Sequence, residues 1–173
     1  SMLEGRIMLN LDSEEDGQVF VGCSGGCDSN VELELTRTTI PATAQIVTIM
    51  VSGVRGGHSG LDIHRNRVNA IHALAQVLEP VLRLEGAGLV AIEGGSKRNA
   101  IPREARATVA VEAGEVASLR EIVETEKNKL ATQFAGIDDG LSIEVAESAA
   151  DGKVMWTAED SRRAVAFLRA LPS

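Results

Sequence analysis

The chain has 173 residues, enough for one domain with a substantial core. Its 17 lysines and arginines stand against 25 aspartates and glutamates, a net charge of −8 that argues against a general nucleic-acid binder. Tyrosine is absent and aromatics make up 2%, which removes the stacking platforms of single-strand binders, and no apolar run approaches the roughly 20 residues that span a bilayer.

The first predicted element is the apolar run Ile7 to Leu11, a strand that ends in the acidic cluster Asp12-Ser13-Glu14-Glu15-Asp16. Open α/β sheets present ligands at the carboxyl ends of strands, and carboxylates there suit a metal ion. The same cluster also suits a plain solvated turn. No parallel partners follow at βαβ spacing, so the strand reads as the edge of a larger sheet. Two short strands, Gln18–Cys23 and Val31–Arg37, are expected around the glycine-rich loop between them. Cys23 and Cys27 are joined by no second Cys or His pair at zinc-ligand spacing, and no signal-peptide pattern precedes them. Reduced thiols in a cytoplasmic protein are expected.

From Gln45 the pattern is more regular. Gln45–Val54 is rich in β-branched residues and reads as a strand. Apolar residues at 63, 68, 71, 74, 75, 78, 81 and 82 give Ile63–Leu84 the spacing of a helix. Gly86–Glu93 is a strand, and Ala105–Glu112 alternates, with Ala107, Val109 and Val111 on one face. Glu115 to Phe134 is a second amphipathic helix, carrying Leu119, Ile122, Val123 and Leu130. Leu141–Glu147 is a last strand. The order β-α-β-β-α-β implies an α+β, ferredoxin-like sandwich: a four-stranded antiparallel sheet with two helices on one face. Thr157-Ala158-Glu159-Asp160 resembles a capping box that starts a third helix. Both ends of the chain read as cuts. The expected division is 1–42 for a catalytic-domain strand and its connections, 43–150 for the sandwich, and 151–173 for the start of a following helical segment.

Two connections carry candidate chemistry. Gly56-Gly57-His58-Ser59-Gly60 lies between the first strand and first helix of the sandwich. Its glycines permit a tight turn that aims the His58 imidazole away from a rigid scaffold. The same residues also suit a plain turn with an ordinary surface histidine. The second connection, Gly94-Gly95-Ser96-Lys97-Arg98-Asn99-Ala100-Ile101-Pro102-Arg103, is too elaborate for a simple hairpin. Asn99 offers a donor and an acceptor to a bound group, and Arg98 and Arg103 suit a carboxylate. It also reads as a solvated turn.

Taken together, Leu9-Asn10-Leu11-Asp12-Ser13-Glu14-Glu15 with Gly22-Cys23-Ser24-Gly25-Gly26, the Arg55–Gly60 turn with Asp62 and Ile63, and the Gly94–Arg103 connection resemble one family. It is that of the bacterial aminoacyl-histidine dipeptidases (Xaa-His dipeptidases, carnosinase-like), two-zinc exopeptidases of the aminoacylase and carboxypeptidase G superfamily. The resemblance covers nearly the whole chain. It implies an inserted lid domain that closes over a metal-bearing catalytic domain and forms a homodimer, with a dipeptide as substrate. Asp12 then matches a zinc ligand, His58 a histidine that polarises the scissile carbonyl, and Asn99 a substrate contact. The chain has only three histidines, and His64 and His72 fall on the predicted helix. One candidate ligand does not hold zinc, so the piece alone is expected to be inactive. Two other readings stand beside this one. One is a stand-alone ferredoxin-like module for dimerisation or regulation; the other is the lid of a related amino-acid deacylase or tripeptidase.

Overall fold

The computed structural model describes residues 16–22, 25–148 and 154–172. The expected strand Ile7–Leu11 and the candidate ligand Asp12 lie outside them. Residues 1–32 and 33–173 form separate compact units. In the first, the described residues contain a turn at 16 and 17 and no strand. The expected strand Gln18–Cys23 is therefore not seen over its described residues 18–22. Val19, Phe20 and Val21 stand 89%, 58% and 101% exposed, and an isolated extended segment has no ladder to hold it as a strand.

The second unit contains eight strands and three α-helices among the described residues: β1 (Arg37–Thr39), β2 (Ala44–Ser52), β3 (Gly57–His58), α1 (Ala70–Val81), β4 (Gly88–Gly94), β5 (Ala100–Ile101), β6 (Ala105–Glu112), α2 (Val116–Gln133), β7 (Ser142–Glu147), β8 (Val154–Trp156) and α3 (Ala158–Ala170). The main sheet has the order β4-β6-β2-β7, every pair antiparallel. With β2, β4, β6 and β7 as its four strands in chain order, this is the ferredoxin-like arrangement expected from the sequence.

Alternation decides which face each strand buries. In β2, Val47, Ile49 and Val51 are fully buried, while Met50 is 39% exposed on the other face. Register aligns Val47 with Val109, Ile49 with Ala107 and Val51 with Ala105, so one face carries a continuous apolar layer. Ile143 and Val145 of β7 extend it beside Val51 and Ile49. In β4 the register shifts between Leu89 and Ala91, a bulge that turns both Leu89 and Ile92 toward the core, opposite Val109 and Ala107. Leu74, Leu78 and Val81 of α1 cover this layer together with Leu119, Val123 and Leu130 of α2. A leucine with no exposed surface, such as Leu74 or Leu78, contributes about 2 kcal/mol through its burial.

Two boundaries differ from expectation for identifiable reasons. Ile63–Leu84 is not one helix. Residues Ile63–Arg65 make a single 3-10 turn, and Asn66 then adopts a left-handed conformation (φ 49°) that ends it. The helix proper starts at Ala70, where the Asn69 side chain accepts from the Ile71 and His72 amides. Val31–Arg37 is likewise displaced: the strand is Arg37–Thr39, fixed by pairing with β8. The capping residue Thr157 accepts from the Asp160 amide, as the capping box predicts. The Asp160 carboxylate instead takes the Thr36 amide at 2.8 Å, which ties the start of α3 to the chain just before β1. Behind it, the buried Ser161 hydroxyl accepts from the Leu89 amide at 2.9 Å and so covers part of the β4 edge.

Candidate functional site

The sandwich brings its two elaborate connections together. Strands β3 and β5 pair antiparallel, Gly57 opposite Ile101 and His58 opposite Ala100. The Ser59 amide extends this short ladder by donating to the Asn99 carbonyl at 2.9 Å. His58 and Asn99, far apart in sequence, therefore stand on adjacent loops, both exposed. An open cavity of about 840 Å³ lies beside the β3–β5 ladder, lined in part by Arg55, Gly57, Glu93, Ala100, Arg103 and Arg106 but by neither His58 nor Asn99. Arg106 is engaged with Glu93 at 2.8 Å.

The His58 loop is organised by its own side chains. The imidazole Nδ1 accepts from the Gly60 amide at 3.0 Å and from the Leu61 amide at 3.2 Å. With Nδ1 committed as an acceptor, the neutral ring carries its proton on Nε2, and that N–H is the donor left for a ligand. The His58 amide donates to Asp62 Oδ2 at 2.9 Å. Asp62 Oδ1 in turn pairs with Arg65 at 3.1 Å and Arg67 at 3.3 Å. Arg67 also donates to the Gly56 carbonyl, which closes the loop on itself. The feet of the loop are held by a residue from another part of the fold. Asp138, in the turn between α2 and β7, accepts from the Arg55 amide at 2.7 Å and the Val68 amide at 2.8 Å.

The other two histidines are placed differently. His64 lies in the 3-10 turn. His72 lies on α1, where burial, reinforced by the Arg169 guanidinium, holds its imidazole below the ordinary histidine range. Asp12, the expected metal ligand, lies outside the described residues, and among those described no group of three or more His, Cys, Asp or Glu side chains is placed to hold a metal ion. Cys27 is an exposed thiol, and Cys23 lies outside the described residues.

The sequence alone assigns no role to Asp62, Arg67 or Asp138. Asp62 follows His58 by four residues and is followed by two arginines, a local signal for a self-bonded loop. For Asp138 there is no such signal, because its partners are 83 and 70 residues away.

The Asp62 carboxyl is held below the usual carboxylate range, first by the hydrogen bond from the His58 amide and then by Arg67 and Arg65. A lowered folded pKa means that the support Asp62 gives is complete above the ordinary carboxylate pKa and is lost as pH falls through the folded value. The loop should therefore keep its form from neutral pH down through the ordinary carboxylate range and open only in stronger acid. Carbon NMR of the Asp62 carboxyl, followed together with the His58 amide, should show both moving at one midpoint below that range. A midpoint at or above the ordinary value would contradict the bonding described.

Fold and loops together define a ferredoxin-like domain that presents one imidazole beside a second polar loop. Residues 49–137 match the family model described as a peptidase dimerisation domain, and the chain belongs to that family. It is 35% identical over 171 residues to the cytosol non-specific dipeptidase of Escherichia coli (strain K12), a match covering 99% of this chain and 35% of that protein. Among solved structures, it superposes on the aminoacylhistidine dipeptidase from Vibrio alginolyticus with a TM-score of 0.76 and 35% identity, over 82% of this chain and 29% of that one. The chain thus spans about a third of the length of the curated relative it matches.

Proposed function

We propose that this chain is the lid and dimerisation part of a zinc-dependent cytoplasmic dipeptidase that hydrolyses Xaa-His dipeptides such as β-alanyl-histidine, working as a homodimer. Residues 1–42 would bring the end of a catalytic-domain strand and its connections, 43–150 the lid, and 151–173 the start of the next helical segment. The observation that supports the reading is the pairing of the two motif loops, which brings the backbone of the His58 loop against the Asn99 loop while Nδ1 is occupied and Nε2–H is left as the ring's donor. The names of the two relatives, both dipeptidases and one of them an aminoacylhistidine dipeptidase, support the substrate class.

Hydrolysis of an amide takes the carbonyl carbon through a tetrahedral intermediate whose oxygen carries negative charge. Donors fixed in advance at that oxygen lower the barrier. His58 has its second ring nitrogen occupied and its Nε2–H turned to service of this kind. The Asn99 side chain meets a polar group of the substrate. Carried on a closing domain, the loops also exclude water from the reacting groups. The described residues do not by themselves fit a two-zinc site. In this reading Asp12 is the chain's single contribution to it, and the piece alone hydrolyses nothing.

The test is made on the full-length parent. It should hydrolyse Xaa-His dipeptides, lose that activity on chelation and regain it with zinc. A parent that forms a stable dimer yet leaves dipeptides intact under every metal condition would make this domain a pairing module for some other chemistry.

A further inference from the structure

We propose that Asp138 is a positioning residue for the hydrolytic reaction, acting through His58; the inference rests on the function proposed above. The carboxylate is only 2% exposed, and each of its oxygens holds one foot of the same loop. Arg55 and Val68, whose amides it binds, bracket the whole segment that carries His58, Asp62 and Arg67. Val54 and Val68 beside those feet are buried at 2% and 1% exposure, so the clamp is set into the core.

The turn bearing Asp138 is itself fixed. Its amide donates to the carbonyl of Phe134, the residue that caps α2, and its carbonyl accepts from the amide of Leu141 just before β7. Two glycines lock the turn against the exit of β2. A Cβ on Gly140 would stand 2.6 Å from the Gly53 carbonyl oxygen, and one on Gly53 would overlap the Gly140 carbonyl. The main sheet, the end of α2 and the His58 loop therefore meet at one buried carboxylate. Inside that outer tie sits a second, Asp62, which holds the His58 amide itself. With the feet tied to Asp138 and the His58 amide tied to Asp62, the backbone that carries the imidazole is held against the Asn99 loop. A misplacement of about 1 Å at a reacting group costs on the order of a hundredfold in rate.

The experiment is a double-mutant cycle in the full-length parent with Asp138→Asn and His58→Ala, reading kcat, KM and thermal stability. Asparagine keeps one accepting oxygen and puts an NH₂ donor against the other amide, so one foot is released while the side-chain volume is kept. Asp138→Asn should lower kcat by about tenfold or more, with KM changed little. In the His58→Ala background it should lower kcat no further, because the residue acts through the imidazole. Equal loss in both backgrounds would overturn the positioning role and leave a general stabilising one. Unchanged kcat in Asp138→Asn, with His58→Ala severely impaired, would overturn it while sparing the functional reading. Unimpaired His58→Ala would overturn both. Should the Asp138 variant not fold, hydrogen exchange on the unaltered parent decides. Arg55 and Val68 amides should exchange as slowly as those of β2, and rapid exchange there would refute the clamp.

Discussion

Replacing His58 by alanine in the full-length parent should lower kcat toward Xaa-His dipeptides by about a hundredfold or more, the scale for loss of one oxyanion donor. The side chain is exposed, so its removal takes nothing from the core. Its ring nitrogen does bind the Gly60 and Leu61 amides, but both amides are at the surface, where water replaces the lost acceptor. Thermal stability and bound metal should therefore stay near those of the unaltered enzyme. In the role proposed for His58 the loss should fall on kcat rather than KM, because such an interaction strengthens only as charge develops on the carbonyl oxygen. A variant almost as active as the parent would reduce His58 to a turn residue and this domain to a cover or a dimer contact.

The sheet was legible because its central strands solve a local problem. Val47, Ile49 and Val51 alternate with half-exposed or exposed neighbours, as do Ala105 and Ala107 in β6 up to Val109, beyond which Ala110 is buried as well, and the side-chain period of two permits one register. The helix α2 was legible for the same kind of reason. The segment from 63 to 69 was not, because Ile63 and Val68 fall on a helical period although neither is in the helix. There, two non-helical demands prevail: Asn69 caps the helix that follows, and the Val68 amide goes to Asp138. The periodicity records burial at Val68 but not at Ile63, which is 49% exposed, and it records the backbone at neither.

The two candidate loops were each recognisable by composition, whereas their joining was not. A two-residue ladder between β3 and β5 leaves no pattern in either segment; it follows from where the sheet and α1 deliver them. The Asp138 clamp is less visible still, a buried carboxylate in a stretch, Asp138-Asp139-Gly140, whose composition reads as an ordinary turn. What sequence reading reaches is the chemistry each loop offers. What it misses is the long-range hydrogen bonding that makes one loop conformation the only satisfied one.

That conformation depends on Gly57, and alanine there should cripple the reaction without unfolding the domain. Gly57 has φ 152°, where an L side chain is strained, at a cost of about 1–3 kcal/mol. The added Cβ would also stand 2.7 Å from Asp62 Oδ2 and 2.9 Å from Asp62 Cβ, so the far end of the carboxylate cannot simply swing aside. Asp62 must withdraw, releasing the His58 amide and the contact with Arg67. The imidazole then loses its fixed direction while the sheet, α1 and α2 keep theirs, because the atoms nearest the added Cβ belong to Arg67 and Asp62, which are not part of the core. We expect kcat/KM in the full-length parent to fall by about tenfold or more, with a melting temperature lowered by only a few degrees. Nitrogen NMR separates this from the loss of the histidine itself. In Gly57→Ala the ring is present but freed from the Gly60 and Leu61 amides, so its Nδ1 and Nε2 signals should approach the tautomer averaging of an unconstrained histidine. Unaltered kinetics alongside averaged ring signals would mean that the reaction does not need the imidazole held. Unaltered ring signals would mean that the loop accommodates the methyl group without releasing Asp62.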